Sequence, residues 1–544
     1  MENYLFITGG VVSSLGKGVT AAALAALFKA RNLKVGIVKI DGYLNIDAGL
    51  MSPIEHGEVF VTHDGIETDL DIGSYERFLG DPISGRNSIT SGRVFMEVIN
   101  LERRGHYLGT TVQIVPHVTN HIKSLILDVG KGNDITLVEI GGVVGDIESM
   151  HFIEAARQLH LSLREKCAFL HLGLIPLLTQ TNEHKTKPIQ HSVRTLLSMG
   201  IQPDFVFCRS QTPLPPAQMA KVALFCNVDA ANVVNSPHVD SKYEMPFRFA
   251  QQKIDELVLR KFGVFNELDA GHLGRWQQLQ QQLSAQAGYP PLRIGFLRKY
   301  LTNADNYVSL VDSLTLSALQ HGCSPRISYI DTNSEGIEAQ LREMDCVVVP
   351  GGWGDTGVEV MIDAARFARE NNVPFLGICY GFQLAMIEIA RNVLGLAAAH
   401  TQEVAPDTPH PIVMSLDALI HPGHGNGQPL SPLLRLGTCS MHHEGESVFR
   451  TIYPSATVEE RFRHRYTLNP QYRRQFEEAG VAFGLMGNHS GQPLFDAFQL
   501  TTNTLHIGVQ YHPEFYSSVF RVNPVLQHFV GHSARRILQA AANK

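Results

Sequence analysis

Seven cysteines in 544 residues are few and odd in number, and no two of them form a CxxC pair. Neither a disulfide framework nor a structural zinc site is signalled. No uninterrupted apolar run approaches the roughly 20 residues needed to cross a bilayer. The opening MENYLFITGG has no basic region ahead of an apolar one. A reducing, cytoplasmic compartment is therefore expected. Charge is also scarce, at 18% of residues, with a net charge of -7 and a pI near 6.4. The basic excess of a dedicated nucleic-acid binder is missing. Divided after Asn266, the chain carries 27 acidic and 25 basic residues before the cut and 25 and 20 after it, so neither half is a charged tail.

What is present suits folded cores. Hydrophobic residues make up 44% of a chain too long for one ordinary core, so two large domains are expected. Apolar runs of strand length stand at Leu5–Thr8, Val35–Ile40, Ile135–Ile140, Phe169–Leu178 and Phe205–Cys208, separated by helical segments such as Val19–Lys29 and His151–His160. Runs that are apolar throughout, without alternation, suit a parallel sheet buried on both faces. The stretch from Asn266 is polar and glutamine-rich, and it closes on Tyr289, Pro290 and Pro291. It reads as a partly helical linker over 267–291 between domains 1–266 and 292–544. A second α/β pattern follows, with strands at Arg293–Phe296, Arg326–Ile330, Cys346–Val349 and Pro374–Ile378. Residues 405–427 are rich in Pro, His and Gly without a clean period, which predicts a loop-rich insertion. The fold class is α/β, two domains each with a mostly parallel sheet flanked by helices.

The first chemical signal is the Gly- and Ser-rich turn from Gly9 to Thr20, between a strand and a helix, where backbone N–H groups and the helix dipole converge on an anion. It is not a regular Walker A sequence: the interval from Gly10 to Gly16 is one residue too long. Gly18 also stands where Ser or Thr would hold Mg²⁺. Oxygen ligands for a metal are available in Asp71, within an acidic run, and in Glu139, near the end of an apolar strand. The second signal is Cys379, set between Gly377 and Gly381 at a strand-to-helix junction, which is the cysteine version of a nucleophile elbow. His512 can take its proton and Glu514 can orient the imidazole. The N–H groups of Gly352 and Tyr380 are candidate oxyanion donors. Cys167, Cys208 and Cys226 read as buried structural thiols.

The Cys-His-Glu site resembles those of class I glutamine amidotransferases. The first domain resembles the CTP synthase family through Gly9–Thr20, Lys39–Asp47, Met51–Val61, Glu67–Phe78, Glu139–Ser149, Lys185–Ser192, Cys208–Ser210 and Lys221–Val228. The resemblance runs from Asn3 to Phe515. It implies ATP-dependent amination of UTP to CTP through a 4-phosphorylated UTP, the last step of pyrimidine nucleotide synthesis. Ammonia would come from glutamine hydrolysis through an enclosed passage. It further implies that Ser14, Leu15, Gly16, Lys17, Gly18, Val19 and Thr20 surround the ATP phosphates, with Arg209 and Val239 near the adenine and Asp71 and Glu139 on Mg²⁺. Ser13, Asp146, Ile147, Glu148, Lys185, Thr186, Lys187, Pro188, Ile189, Gln190 and Lys221 would meet UTP or product CTP. Glutamine would lie against Gly352, Tyr380, Gly381, Phe382, Gln383, Glu403 and Arg465. The last belongs to the basic stretch Arg461–Tyr466, a pattern that otherwise forms a solvated face. A homotetramer is implied, with filaments as a further assembly and with no nucleic-acid or membrane partner.

Departures from the family fall in the second domain. Trp353 replaces Phe, Thr356 replaces Arg, Tyr380 and Phe382 replace Leu and Met, and Arg435–Met441 stands in place of the lid segment. That lid and arginine are associated with activation by GTP. Two other readings use the same parts: an ATP-using, glutamine-dependent amidase of a carboxylate acceptor, and a filament-forming regulatory homologue with impaired glutaminase. The departures predict that glutamine-dependent CTP formation changes little when GTP is added, and a large activation in a UV assay of UTP conversion would overturn this.

Overall fold

The run Asn3–Gly10 is buried at all eight positions because parallel strands flank it on both sides. The computed structural model describes residues 2–178, 180–267, 269–299, 304–334, 336–421 and 433–542. Two units make up the chain, one of residues 1–51 and 67–283, the other of residues 52–66 and 284–544.

In the first unit, seven parallel strands stand in the order Val233–Pro237, Phe205–Ser210, Cys167–Leu174, Asn3–Gly10, Ile135–Ile140, Val35–Asp41 and Ser88–Thr90. The two edge strands were not apparent from apolar runs, since Ser88–Thr90 is three residues long and Val233–Pro237 ends in polar residues. The run Phe169–Leu178 is not one strand. It ends at Leu174, Pro176 cannot donate to a ladder, and Leu177–Leu178 pairs antiparallel with Glu183–His184. The alanine-rich helix Lys17–Ala30 is buried nearly all round, packed on the sheet and against the helices Leu70–Leu79 and Met245–Gln251. The glutamine-rich stretch forms the helix Ala270–Ala285, whose Trp276 is fully buried with its ring 5.3 Å from that of Phe78.

The largest sheet described in the second unit has nine strands in the order Ser324–Asp331, Pro291–Arg298, Cys346–Val349, Phe375–Ile378, His506–Val509, Gln492–Leu500, Val481–His489, Arg435–His443 and Thr457–His464. The first five are parallel and the rest extend the sheet antiparallel. The extension escapes a search for apolar runs because its strands mix buried and exposed positions. The region read as a loop-rich insertion contains the strand His410–Ser415, which pairs with Tyr466–Leu468, and the short helix Leu416–Ile420. Residues 422–427 of that stretch lie outside the described residues. Among the described residues no helix is long and apolar enough to cross a membrane.

Residues 52–66 make this second unit more than the C-terminal half of the chain. Phe60 packs its ring 4.9 Å from that of Phe515, and Glu58 accepts from the Ser309 N–H at 2.9 Å. Arg461 donates to the Val61 carbonyl at 3.0 Å and is fully buried between the rings of Phe60 and Tyr516. The expectation of a solvated basic face therefore fails at Arg461, because aromatic faces and a carbonyl replace its water.

A second buried charge in this unit carries a pH dependence. Glu460 accepts from the Tyr453 hydroxyl at 2.8 Å and from the Asn523 amide at 2.7 Å, both at Oε1. Burial raises its pKa to about 8, against the lowering pull of those hydrogen bonds and of Arg461 and Arg521. Between the ordinary carboxyl range and about 8, the folded chain keeps a proton that the unfolded chain has lost, so stability falls as pH rises through that window. Replacing Glu460 by Gln removes this dependence. The melting temperature of Glu460→Gln relative to the parent is expected to rise between pH 5 and 8, and parallel curves would show that Glu460 ionises normally.

Candidate active sites

The carboxyl ends of the strands in the first unit carry a dense charge cluster. Gly16 adopts a left-handed conformation (φ 90°) and caps the helix that begins at Lys17. Lys17 is 8% exposed and reaches the Gly142 carbonyl at 2.5 Å. Beside it Lys39, also buried, is hydrogen-bonded to Asp71 and lies 3.4 Å from Asp41, 3.5 Å from Asp69 and 3.8 Å from Glu139. Glu139 in turn accepts from the Tyr75 hydroxyl. Burial alone would lower the Lys39 pKa, but the four carboxylates hold it well above its ordinary value. Burial raises the carboxyls of Asp41, Asp69 and Glu139, while Lys39 overcomes burial at Asp71 and lowers it. Four acids thus face two ammonium groups. Asp71 with Glu139 offers the one or two carboxylates that Mg²⁺ takes alongside phosphate oxygens. Among the described residues no three His, Cys, Asp or Glu form a protein-only metal cage.

The structure also accounts for the missing Ser or Thr of the phosphate loop. A Cβ at position 18 would stand 2.3 Å from Asp71 Oδ1, so glycine is what lets the carboxylate lie over the first turn of the helix.

The remaining nucleotide candidates fall into separate groups. Ser13 and Ser14 are exposed, while Leu15 and Thr20 are buried and Val19 is half-buried. Asp146, Ile147 and Glu148 are exposed beside the sheet, Ile147 at 81%. Lys185 pairs with Glu183 at 2.5 Å; the hydrogen bond and charge of Lys185, with the more distant Lys221, lower the Glu183 pKa. Lys187 and Pro188 open the helix Lys187–Ser198, in which Ile189 and Gln190 are buried. The Gln190 amide donates to the Thr186 hydroxyl at 3.0 Å. Arg209 donates to the Pro237 carbonyl at 3.0 Å, and Val239 is buried two residues further on.

In the second unit, Cys379 lies between the strand Phe375–Ile378 and the helix Tyr380–Asn392 with φ 52° and ψ -101°, a strained position for a residue with a side chain. A Cβ on Gly381 would come within 2.0 Å of the Val349 carbonyl, so the sharp turn needs glycine there. His512 Nδ1 and Glu514 Oε1 are 2.8 Å apart, which leaves Nε2 for the thiol. Burial would lower the His512 pKa, but Glu514 and the Cys379 sulfur raise it to about 10. The loop after Val349 crosses this pair: a methyl on Gly351 would stand 3.0 Å from His512 Cε1 and 3.5 Å from Cys379 Cβ. A cavity of about 80 Å³ beside them is lined by Cys379, His512, Gly352, Trp353, Arg463 and, from the 52–66 segment, Pro53, Glu58 and Val59.

Of the candidate glutamine contacts, Glu403 accepts from the Gly354 N–H at 2.8 Å, and burial raises its pKa against Lys299 and Arg465. Arg465 is exposed. Phe382 sends its ring into the core against Phe498, so only its backbone faces the turn. The Gln383 amide donates to the Tyr466 carbonyl at 2.9 Å and to Gln510 at 3.1 Å, and Gln510 donates to the Cys379 sulfur at 3.7 Å.

Sequence reasoning missed Lys39, Asp41, Asp69 and Tyr75 in the first cluster and Lys299, Arg463 and Gln510 in the second. A lysine at the end of the apolar run Val35–Ile40 was the available signal for Lys39, since a buried cation requires partners.

Two family models match the chain: one described as CTP synthase N-terminus over residues 3–264, and one described as glutamine amidotransferase class-I over residues 303–531. Among solved structures, the glutaminase domain of Trypanosoma brucei CTPS with bound acivicin is 29% identical, covering 45% of this chain and 94% of that one with a TM-score of 0.42. A glutamine amidotransferase from Methylobacillus flagellatus is 15% identical, covering 46% of this chain and 95% of that one with a TM-score of 0.28. The two family matches follow one another along the chain and each takes in one of the two clusters, so the chain belongs to the CTP synthase family and is a glutamine-hydrolysing ligase that carries out glutamine-dependent CTP synthesis.

Proposed function

We propose that Cys379 is the glutaminase nucleophile, that His512 takes its proton and returns it to the departing ammonia, and that Glu514 holds the imidazole and stabilises its charged form. The thiolate adds to the carboxamide carbon of glutamine, and the developing oxyanion meets the N–H groups of Gly352 and Tyr380. Loss of ammonia leaves a thioester, which water cleaves to glutamate. The observation that carries this reading is the strained Cys379 elbow with the His512–Glu514 pair beside it. Glu403 and Arg465, of opposite charge, suit the ammonium and carboxylate of glutamine, with the turn Tyr380–Gln383 alongside.

In the synthase unit the acceptor is UTP. Its O4 is a poor leaving group, so ATP phosphorylates it and ammonia then displaces phosphate at C4, giving CTP. Phosphoryl transfer asks chiefly for alignment and charge neutralisation. Lys17 and Lys39 supply positive charge, and the N–H groups from Ser14 to Thr20 face the phosphates. The CTP synthase family uses ATP and Mg²⁺; here Asp71 and Glu139 would hold the ion, which when bound neutralises phosphate charge. Arg209 and Val239 would border the adenine. Ser13, Asp146–Glu148, Lys185–Gln190 and Lys221 would receive UTP and, at an overlapping place, product CTP. The working form is a cytoplasmic homotetramer on which GTP acts weakly.

Two substitutions separate the halves of this reaction. Cys379→Ala is expected to lower glutamine-dependent CTP formation by about 10³-fold or more while ammonia-dependent formation persists. Continued use of glutamine would refute the nucleophile assignment. Gly18→Ser drives a side chain into the Asp71 carboxylate and is expected to abolish CTP formation from either nitrogen source with glutaminase turnover retained. Normal ammonia-dependent synthesis by that variant would mean that Asp71 need not lie over the loop.

A further inference from the structure

The turn Pro350–Gly354 carries the Gly352 N–H, and three of its five residues are glycine. Such a segment has wide backbone freedom, and an oxyanion donor is effective only if it is already aimed when charge develops. The far end of the turn is held on both sides of one residue. The Gly354 N–H donates to Glu403 Oε1 at 2.8 Å, and the Gly354 carbonyl accepts from the Tyr380 hydroxyl and from Lys299 Nζ, each at 2.8 Å. Tyr380 and Lys299 are 2% and 6% exposed, and the Lys299 ammonium stands 5.0 Å from the centre of the Tyr380 ring. Water therefore competes little with either bond.

Tyr380 occupies an unusual place in this arrangement. Its backbone N–H lies in the first turn of the helix after Cys379, where no intrahelical acceptor exists. Its side chain runs back to the turn that carries the other donor. We propose that the Tyr380 hydroxyl, through Gly354, is a positioning group that fixes the Gly352 N–H relative to Cys379 and so couples the two oxyanion donors. Glu403 completes the clamp by accepting from the Gly354 N–H, so the group assigned to the glutamine ammonium also braces the oxyanion turn. The proposal rests on the reading of Cys379 as the nucleophile.

The test uses the full-length chain with Tyr380→Phe, which removes only the hydroxyl, and Tyr380→Leu, which removes it through a different side chain. Glutaminase kcat and KM are measured together with inhibition by the γ-aldehyde analogue of glutamine. The Cys379 sulfur adds to the aldehyde carbon as the C=O π bond opens, and the thiol proton passes to His512, leaving a tetrahedral oxyanion at the donors. Ammonia-dependent CTP formation, which does not use this site, reports the amount of folded enzyme. A positioning group is expected to matter less than a donor itself, so kcat falls about tenfold in both variants. KM for glutamine changes by less than about twofold, affinity for the aldehyde falls about as much as kcat, and ammonia-dependent turnover is kept. The proposal is overturned if kcat stays within about twofold of the parent, if KM alone rises, or if both activities fall in proportion. Failure of the underlying assignment looks different: Cys379→Ala would then still use glutamine and still be inhibited by the aldehyde.

Discussion

Both side-chain clusters form at the edge where a parallel sheet stops. At that edge two strands pass through a turn into a helix whose first N–H groups have no intrahelical partner, so dipoles and strand-end side chains converge on one side of each sheet. Asn3–Gly10 leads in this way to Lys17–Ala30, and Phe375–Ile378 to Tyr380–Asn392. The first junction is long and glycine-rich, leaving room for a polyanion. The second is a single strained residue that presents one sulfur. The same architectural edge thus carries both clusters, and the two turns differ in length: six residues separate Gly10 from Lys17, and one separates Ile378 from Tyr380.

The two clusters solve opposite electrostatic problems. Around Lys39 the carboxylates outnumber the cations, and three of the four carboxyls are pushed upward. Such a site is unsettled alone and is suited to a divalent cation that arrives with its phosphate ligands. Around His512 the balance is met internally: Glu514 and the Cys379 sulfur outweigh burial and raise the imidazole pKa. Such local pairing suits the passing of a proton between sulfur, imidazole and leaving nitrogen.

The parallel strands were legible because burial on both faces leaves an unbroken apolar run, as at Ile135–Ile140 and Cys346–Val349, where the expected and observed limits coincide. Edge and antiparallel strands were not, since Thr457–His464 mixes buried charged and exposed positions and Ser88–Thr90 is too short for a period to show. At the sites, residues fixed by local geometry could be read directly: Cys379 between its glycines, and His512 two residues from Glu514. Residues that act through contacts distant in sequence could not. Lys39 meets Asp71 across 32 positions, and Gln510 meets Cys379 across 131. Tyr380 was visible only as an odd residue after the nucleophile, and its meaning came from a carbonyl 26 positions earlier.

The segment 52–66 changes what a domain boundary means in this chain. The backbone leaves the first unit after Met51 and returns at Glu67, so three peptide bonds join the units and only one of them lies in the glutamine-rich helix. The segment supplies the carbonyl and one of the rings that bury Arg461, the carboxylate that meets Ser309, and one wall of the cavity beside Cys379. A cut at the linker alone would therefore give a C-terminal piece with a solvated Arg461 and an open cavity. The same segment belongs to the sequence blocks that mark the synthase half of the family, although its side chains wall the glutaminase cavity. The packing of the C-terminal unit therefore depends on fifteen residues that precede most of the first unit in sequence.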